Sequence, residues 1–145
     1  MMGTDKYQRP VVYAKTIDLN LAATTPEQHS RLIMFIMDYT MSLMPAHADQ
    51  MIFVFDMEDF GYSHFYLEPV RQVLHIMQAV FVNCTARFIV VNPNYTTRFL
   101  FAAIKPFLNE RARDKSEFLS DLSIETLEAS CLLRQYLPAQ WGGEV

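Results

Sequence analysis

The sequence predicts an α/β domain with a mostly parallel sheet of about four to five strands flanked by helices. Two observations carry this expectation. The runs Met51-Ile52-Phe53-Val54-Phe55 and Phe88-Ile89-Val90-Val91 are apolar without alternation, as strands covered on both faces are. Stretches with apolar residues at helical spacing lie between such runs, the order of parallel strands joined by right-handed crossovers. A chain of 145 residues accommodates one such domain over 1–145. Folding at this size buries roughly two-thirds of the unfolded surface, enough for a core without metal or disulfide.

The elements follow in order. Residues 10–18 (PVVYAKTID) mix β-branched, aromatic and polar residues, which reads as a strand. Thr25-Pro26-Glu27 then supplies a cap, a proline at the first helical position and an acid in the first turn. The helix they open runs to about residue 44, where Pro45 ends it. Its apolar stripe is Leu32/Ile33, Phe35/Ile36, Tyr39 and Leu43, with Met34, Met37, Met41 and Met44 in a row beside it. After the strand 51–55 comes an acidic turn, Asp56-Met57-Glu58-Asp59-Phe60-Gly61-Tyr62-Ser63. A helix over 69–81 follows, with Val70, Val73, Leu74, Met77 and Val80/Phe81 inward. The strand 87–92 closes on the turn Pro93-Asn94. The helix over 95–108 contains Phe99-Leu100-Phe101-Ala102-Ala103-Ile104, apolar around nearly its whole circumference. A short extended piece at 116–119 and a last helix over 124–135 complete the chain.

Composition narrows the function classes. Hydrophobic residues make up 51% and charged residues 19%, against about 25% charged in typical domains. This apolar excess suits a large core or a lined cavity. A net charge of −4 without a basic stripe argues against nucleic-acid binding. No apolar run approaches the ~20 residues of a membrane span. The polar start, Met1-Met2-Gly3-Thr4-Asp5-Lys6, lacks a signal peptide's apolar region. Two cysteines, Cys84 and Cys131, make no disulfide framework. A cytoplasmic location with reduced thiols is therefore expected, and the sequons at Asn83 and Asn94 read as chance matches.

The motifs of catalysis are sparse. Four glycines, Gly3, Gly61, Gly142 and Gly143, cannot build a phosphate cradle. No serine sits in a nucleophile elbow and no histidines are paired at zinc spacing. His29, His47, His64 and His75 are scattered over different elements and read as packed or surface histidines. Asp56, Glu58, Asp59 and His64 raise a metal-dependent hydrolase as an outside alternative, since carboxylates at a strand end suit a hard cation. Cys84 with His75 raises a thiol nucleophile. Neither set is complete, so no enzyme activity, cofactor or metal is expected.

Four segments in order resemble the lipid-binding lobe of Sec14-like (CRAL-TRIO) proteins. They are Met51-Ile52-Phe53-Val54-Phe55-Asp56 with Gly61 and Ser63; Gln78 to Phe81 followed by Arg87-Phe88-Ile89-Val90-Val91-Asn92; the string Ile104-Lys105-Pro106-Phe107-Leu108; and the close Leu137-Pro138-Ala139-Gln140-Trp141-Gly142-Gly143. The similarity runs from about Arg9 to Gly143. It implies a sheet floor, a hydrophobic pocket, and a gate helix over 95–108 with one face to the pocket and the other to membrane. By the same resemblance the pocket is lined by Phe53, Phe55, Phe88 and Val90 from the floor and by Phe99, Phe101, Ile104 and Leu108 from the gate. Lys115 stands at a headgroup position.

The implied function is to hold a phospholipid or other lipid and to transfer it between membranes by reversible peripheral docking. Each buried methylene is worth about 0.8 kcal/mol, so a lipid leaves a bilayer only for an equally dry cavity. The methionine row suits such a pocket, and equally suits plain packing against the sheet. Arg98, Lys105, Arg111, Arg113 and Lys115 form a basic ladder, fit either for lipid phosphates at about 1 kcal/mol each or for a solvated face balanced by Glu110 and Asp114.

Two departures from the family matter. The first strand begins near Pro10, without the family's helical segment before it, so the lipid lobe alone is expected, with an open cavity or a surface for self-association or a protein partner. Of the phosphoinositide headgroup positions, the two strand hydroxyls fall on Met51 and Phe53 and the glutamate on Asn83; only the lysine, Lys115, is matched. A non-phosphoinositide or broad ligand range is expected. The alternative is an interaction module of the same fold with a filled pocket.

Overall fold

The computed structural model describes residues 2–19, 23–64, 66–81 and 83–145, with Val80 described in its backbone only. Five strands form one sheet in sequential order: β1 (Gly3–Thr4), β2 (Pro10–Lys15), β3 (Met51–Asp56), β4 (Thr85–Val91) and β5 (Ser116–Leu119). β1 pairs with β2 antiparallel, and the other pairings are parallel. Five helices connect and cover them: α1 (Pro26–Ser42), α2 (Leu67–Val80), α3 (Tyr95–Ile104), α4 (Glu110–Asp114) and α5 (Ile124–Ala129). Because strand order follows sequence order, right-handed crossovers place α1, α2 and α3 on the same face.

The register explains why β3 and β4 are apolar at every position. Val11, Ile52, Val54, Ile89, Val91 and Leu119 point to one side, under Leu127, Leu132, Leu137 and Trp141 of the C-terminal segment. Val12 pairs with Phe53 and Phe53 with Phe88, while Ala14, Phe55, Val90 and Phe118 form the next row across the sheet. These two rows face α1, α2 and α3. Each face has its own cover, so alternation disappears.

Element ends show local chemistry. Thr25 and Gln28 form a capping box at the start of α1: the Thr25 hydroxyl accepts from Gln28 N, and Gln28 Oε1 accepts from Thr25 N at 2.8 Å. Asn94 caps α3 by accepting from Thr97 N at 2.9 Å. Four segments depart from the sequence expectation. The strand over 10–18 stops at Lys15 and becomes a 3₁₀ turn. The helix over 95–108 stops at Ile104, where Pro106 leaves only a 3₁₀ turn, 105–107. The helix over 124–135 ends at Ala129, because Cys131 adopts φ +75°, a conformation that breaks a helix. The two-residue β1 carried no pattern to read.

α1 also turns differently from the expected stripe. Met37 is fully buried, with Ile33, Met41 and Met44 beside it against Met51, Phe53 and Phe81. Phe35, Tyr39 and Leu43 lie on the outer side, Phe35 66% exposed and stacked on Tyr39. The helix carries two adjacent apolar stripes. The sheet takes Met37, Met41 and Met44, whose flexible thioethers fit an irregular aromatic surface, while Met34 is exposed.

The closing signature has a structural task. Trp141 packs edge-on to Tyr13 at 5.8 Å, and Gly142 takes the left-handed conformation (φ +76°) that ends the turn. A Cβ on Gly143 would lie 2.1 Å from the Leu137 carbonyl oxygen, so backbone would have to move. Gly143→Ala is expected to destabilise the fold by about 2 kcal/mol, lowering the thermal midpoint by roughly 4–8 °C. An unchanged midpoint in a melting curve would show that the tail relaxes freely.

Candidate functional site: an apolar cavity under α1, α2 and α3

Between the sheet and its three covering helices lies a cavity of about 230 Å³. Its floor is the cross-strand row Ala14, Phe55, Val90 and Phe118, with Val12 and Phe53 from the row behind. α1 contributes His29, Leu32, Ile33, Ile36 and Met37, and α2 contributes Pro69, Val70, Val73, Leu74 and Met77. α3 closes the third side with Thr97, Leu100, Phe101 and Ile104. Thr16, Leu19 and Met57 line the end nearest the strand C-termini, where open α/β sheets bind ligands. The wall carries no lysine, arginine or carboxylate among the described residues.

Polar bonds hold α3 at both ends, and apolar contacts pack its middle. At its N-terminus, Asn94 Nδ2 donates to the Phe60 carbonyl at 2.7 Å. Just before it, Asn92, at φ +53°, donates through Nδ2 to Asp56 Oδ1 at 2.8 Å. At the far end Gln78 donates to the Phe107 carbonyl at 2.9 Å and accepts from Asn109 N at 2.6 Å. Between these anchors, Leu100 and Ile104 pack against Met57 and Phe60, and Phe101 meets Phe118 edge-on at 4.5 Å.

Asp56 is the buried polar centre beside the cavity. It is fully buried at the end of β3 and accepts from Tyr13 Oη at 2.7 Å, Asn92 Nδ2 at 2.8 Å and Glu58 N at 3.0 Å. Burial, and then this carboxylate, push the Tyr13 phenol well above its ordinary value. Glu58 pairs instead with Lys15 at 2.8 Å, and the Lys15 ammonium is raised chiefly by that hydrogen bond. His64 Nδ1 accepts from Gly61 N at 3.1 Å. Asp56, Glu58 and His64 therefore serve separate partners. No group of three or more His, Cys, Asp or Glu able to hold a metal occurs among the described residues.

Of the nine residues expected to line the pocket, the structure brings five to the cavity: Phe53, Phe55, Val90, Phe101 and Ile104. The other four lie elsewhere. Phe88 shares the floor face but stacks on Phe53 at 5.7 Å, in the cluster with Met51 and Phe81 at the opposite end of the strands. Phe99 is 58% exposed on the outer side of α3. Leu108 is buried past the 3₁₀ turn, outside the cavity wall. Lys115 donates to the Thr85 carbonyl at 2.6 Å, at the start of β4 and about 16 Å along the strand from Val90.

Sequence reasoning read His29 as a packed or surface histidine, and it read Ile33, Ile36, Val70, Val73 and Leu74 as packing residues only. The signal for the aliphatic ones was present as helical stripes, but a stripe does not distinguish core from cavity wall. Outside the cavity, α3 presents Tyr95 (90% exposed), Arg98, Phe99, Ala102 and Lys105. Arg113 donates to the Lys105 carbonyl at 2.9 Å, which ties α4 to the end of this face. No described helix is long and apolar enough to cross a membrane.

The comparisons with known proteins agree with this architecture. The family model described as the CRAL/TRIO domain matches residues 1–143. A CRAL-TRIO domain-containing protein of Schizosaccharomyces pombe, C3H8.02, is 25% identical over 118 residues, covering 81% of this chain and 27% of that protein. The crystal structure of Sfh5 superposes with a TM-score of 0.69 at 16% identity, covering 80% of this chain and 45% of that one. The chain thus spans less than half the length of either relative. CRAL-TRIO domains bind lipophilic ligands, and an apolar cavity over a mixed five-stranded sheet is suited to that role. This chain, with its family match over nearly every residue, belongs to the Sec14-like CRAL-TRIO domain family.

Proposed function

We propose that this chain holds one lipophilic molecule in the cavity under α1, α2 and α3 and carries it between membranes, with α3 as the gate and no covalent step. The observation that supports the reading most is the cavity wall itself, mainly aliphatic and aromatic and without lysine, arginine or carboxylate among the described residues. At about 230 Å³ the cavity is smaller than the ~300–1,000 Å³ typical of small-molecule pockets. A lipid chain therefore enters by displacing a wall. α3 is the wall suited to move: its anchors lie at its ends, and its middle is held by apolar contacts that a lipid chain can replace one for one.

Docking would use the outer side of α3. Tyr95 and Phe99 offer aromatic rings to the headgroup boundary, and Arg98 and Lys105 meet lipid phosphates at about 1 kcal/mol each. Removing Phe99 from the interface costs about 2 kcal/mol of apolar burial. Phe99→Asp is therefore expected to lower affinity for anionic vesicles at least tenfold in co-sedimentation. The transfer step is tested by mixing donor vesicles carrying a self-quenched fluorescent lipid with unlabelled acceptors. Protein-dependent dequenching, slowed by Phe99→Asp, supports the gate. Dequenching no faster than without protein sinks the transfer reading.

A second reading, a protein-interaction module of the same fold, draws support from the exposed stripe Leu32, Phe35, Tyr39 and Leu43 on α1. Under that reading the protein would keep no lipid from any vesicle mixture.

A further inference from the structure

The outer side of α1 carries aromatic rings and opposite charges in a self-complementary order. An α-helix turns about 100° per residue. With Phe35 at the centre of the outer side, Tyr39 and Leu32 stand about 40–60° to one side and Arg31 and Asp38 about 40–60° to the other. All five are exposed, and Leu32 also reaches the cavity wall. The Phe35 and Tyr39 rings stack at 6.2 Å between centroids, so two aromatic groups face solvent already ordered. Exposed apolar patches with aromatic rings mark contact surfaces. The charged side is only half-used. Arg31 pairs with Glu27 through Nη2 at 2.7 Å, which leaves its other guanidinium donors for a second carboxylate. Asp38 has no ion pair among the described residues. It lies about 10 Å along the helix from Arg31, too far for the two to pair within one chain.

We propose that this face joins two copies of the chain through an antiparallel, two-fold symmetric pair of α1 helices, with Phe35 on the axis. Across such an axis residue i meets j and j meets i. Arg31 lies four residues before Phe35 and Asp38 three after it. Each Arg31 therefore comes level, to within one residue's rise of about 1.5 Å, with the partner's Asp38. On the other flank Tyr39, four residues after Phe35, and Leu32, three before it, meet in the same way. Antiparallel packing sets like flank against like flank, so apolar groups meet apolar groups and each charge meets its opposite. A parallel pair would set Arg31 against Arg31 and Asp38 against Asp38, which repels. The net charge of −4 opposes unspecific self-association, which leaves the matched charges to select the partner and its orientation. A single helix pair buries less than the ~1,200 Å² at the low end of standard interfaces, so a weak dimer that dissociates in the micromolar range is expected.

The test is sedimentation velocity of the full chain without lipid, over about 5–500 μM. Wild type is expected to pass from monomer to dimer across this range. Phe35→Asp should weaken the dimer at least tenfold, as loss of a central aromatic contact does. Arg31→Glu and Asp38→Lys should each weaken it about tenfold by setting like charges together. Mixed in equal amounts, these two variants should associate as tightly as wild type, because the mixed dimer pairs opposite charges on both sides of the axis. A wild type that stays monomeric throughout, or a dimer indifferent to Phe35→Asp, would overturn the proposal. A mixture no tighter than its separate components would overturn the antiparallel pairing. Should a charge variant not fold, the comparison of Phe35→Asp with wild type still decides. Lipid retention is measured separately, so the cavity reading stands or falls on its own.

Discussion

Phe101→Asp is expected to abolish ligand retention, reducing the lipid-bound fraction by about 100-fold or more. Phe101 lines the cavity from α3, its ring edge-on to Phe118 at 4.5 Å. A carboxylate there would stand opposite Val90 and Phe55, with no cation in the described wall to meet it. An unpaired ion in such surroundings costs several kcal/mol, and each 1.4 kcal/mol is a factor of ten in affinity. In the empty protein the new side chain can turn toward water, since Phe101 is only half-buried. The stability loss should therefore be smaller than the binding loss. Phe101→Ala separates the two effects: it enlarges the cavity without adding charge and should retain lipid. Retention is read by native mass spectrometry and stability by thermal melting. Equal retention by Phe101→Asp and wild type would place the ligand somewhere other than this cavity.

Asp56→Ala is expected to be the most destabilising single change, at about 3–5 kcal/mol. The carboxylate is fully buried and serves three donors: the Tyr13 hydroxyl, the Asn92 amide and the Glu58 backbone N–H. Removing it leaves these groups together without an acceptor, at about 1–3 kcal/mol for each buried group left unmade. The contributions overlap, so they do not sum fully. Against a typical stability of about 5–15 kcal/mol, such a loss brings the fold near its limit. Tyr13→Phe, which removes one donor and keeps the other two, should cost about 1–2 kcal/mol. Urea unfolding of both variants measures the ratio. A small effect of Asp56→Ala beside a large one of Tyr13→Phe would show that the Tyr13–Trp141 packing, and not the carboxylate, holds this corner. Because Asn92 precedes the cap of α3, Asp56→Ala should also loosen the gate's N-terminal anchor. Amide exchange at Thr97 and Arg98 is expected to speed up.

The strands and the order of elements were legible because β3 and β4 are apolar at every position, a pattern that buried parallel strands share with few alternatives. The same feature hid which face was which. Phe53 and Phe55 look no different from Ile52 and Val54 until pairing with β2 and β4 sets them under the helices. α3 posed the equivalent problem in rotation. An all-round apolar helix has no readable inside, so Phe99 and Phe101 were equal candidates. The structure separates them through the buried Thr96 and Thr97, which turn Leu100, Phe101 and Ile104 inward. α1 had two apolar stripes, and hydrophobicity alone did not say which of them met the sheet. Cys131 ended a helix that its neighbours' periodicity would have continued, because a positive φ leaves no mark on an apolar pattern. His29 reads as a packed or surface histidine in the sequence, and the structure buries it at 4% exposure.

The space under α1, α2 and α3 is proposed to hold a lipophilic ligand. The most direct measurement is native mass spectrometry of the purified chain after incubation with mixed-lipid vesicles, with extraction and identification of any adduct. One retained molecule per chain, of a single lipid class and lost in Phe101→Asp, is the expected result. A bare chain after every vesicle mixture would contradict the claim and leave the exposed face of α1 as the better guide to what this domain binds.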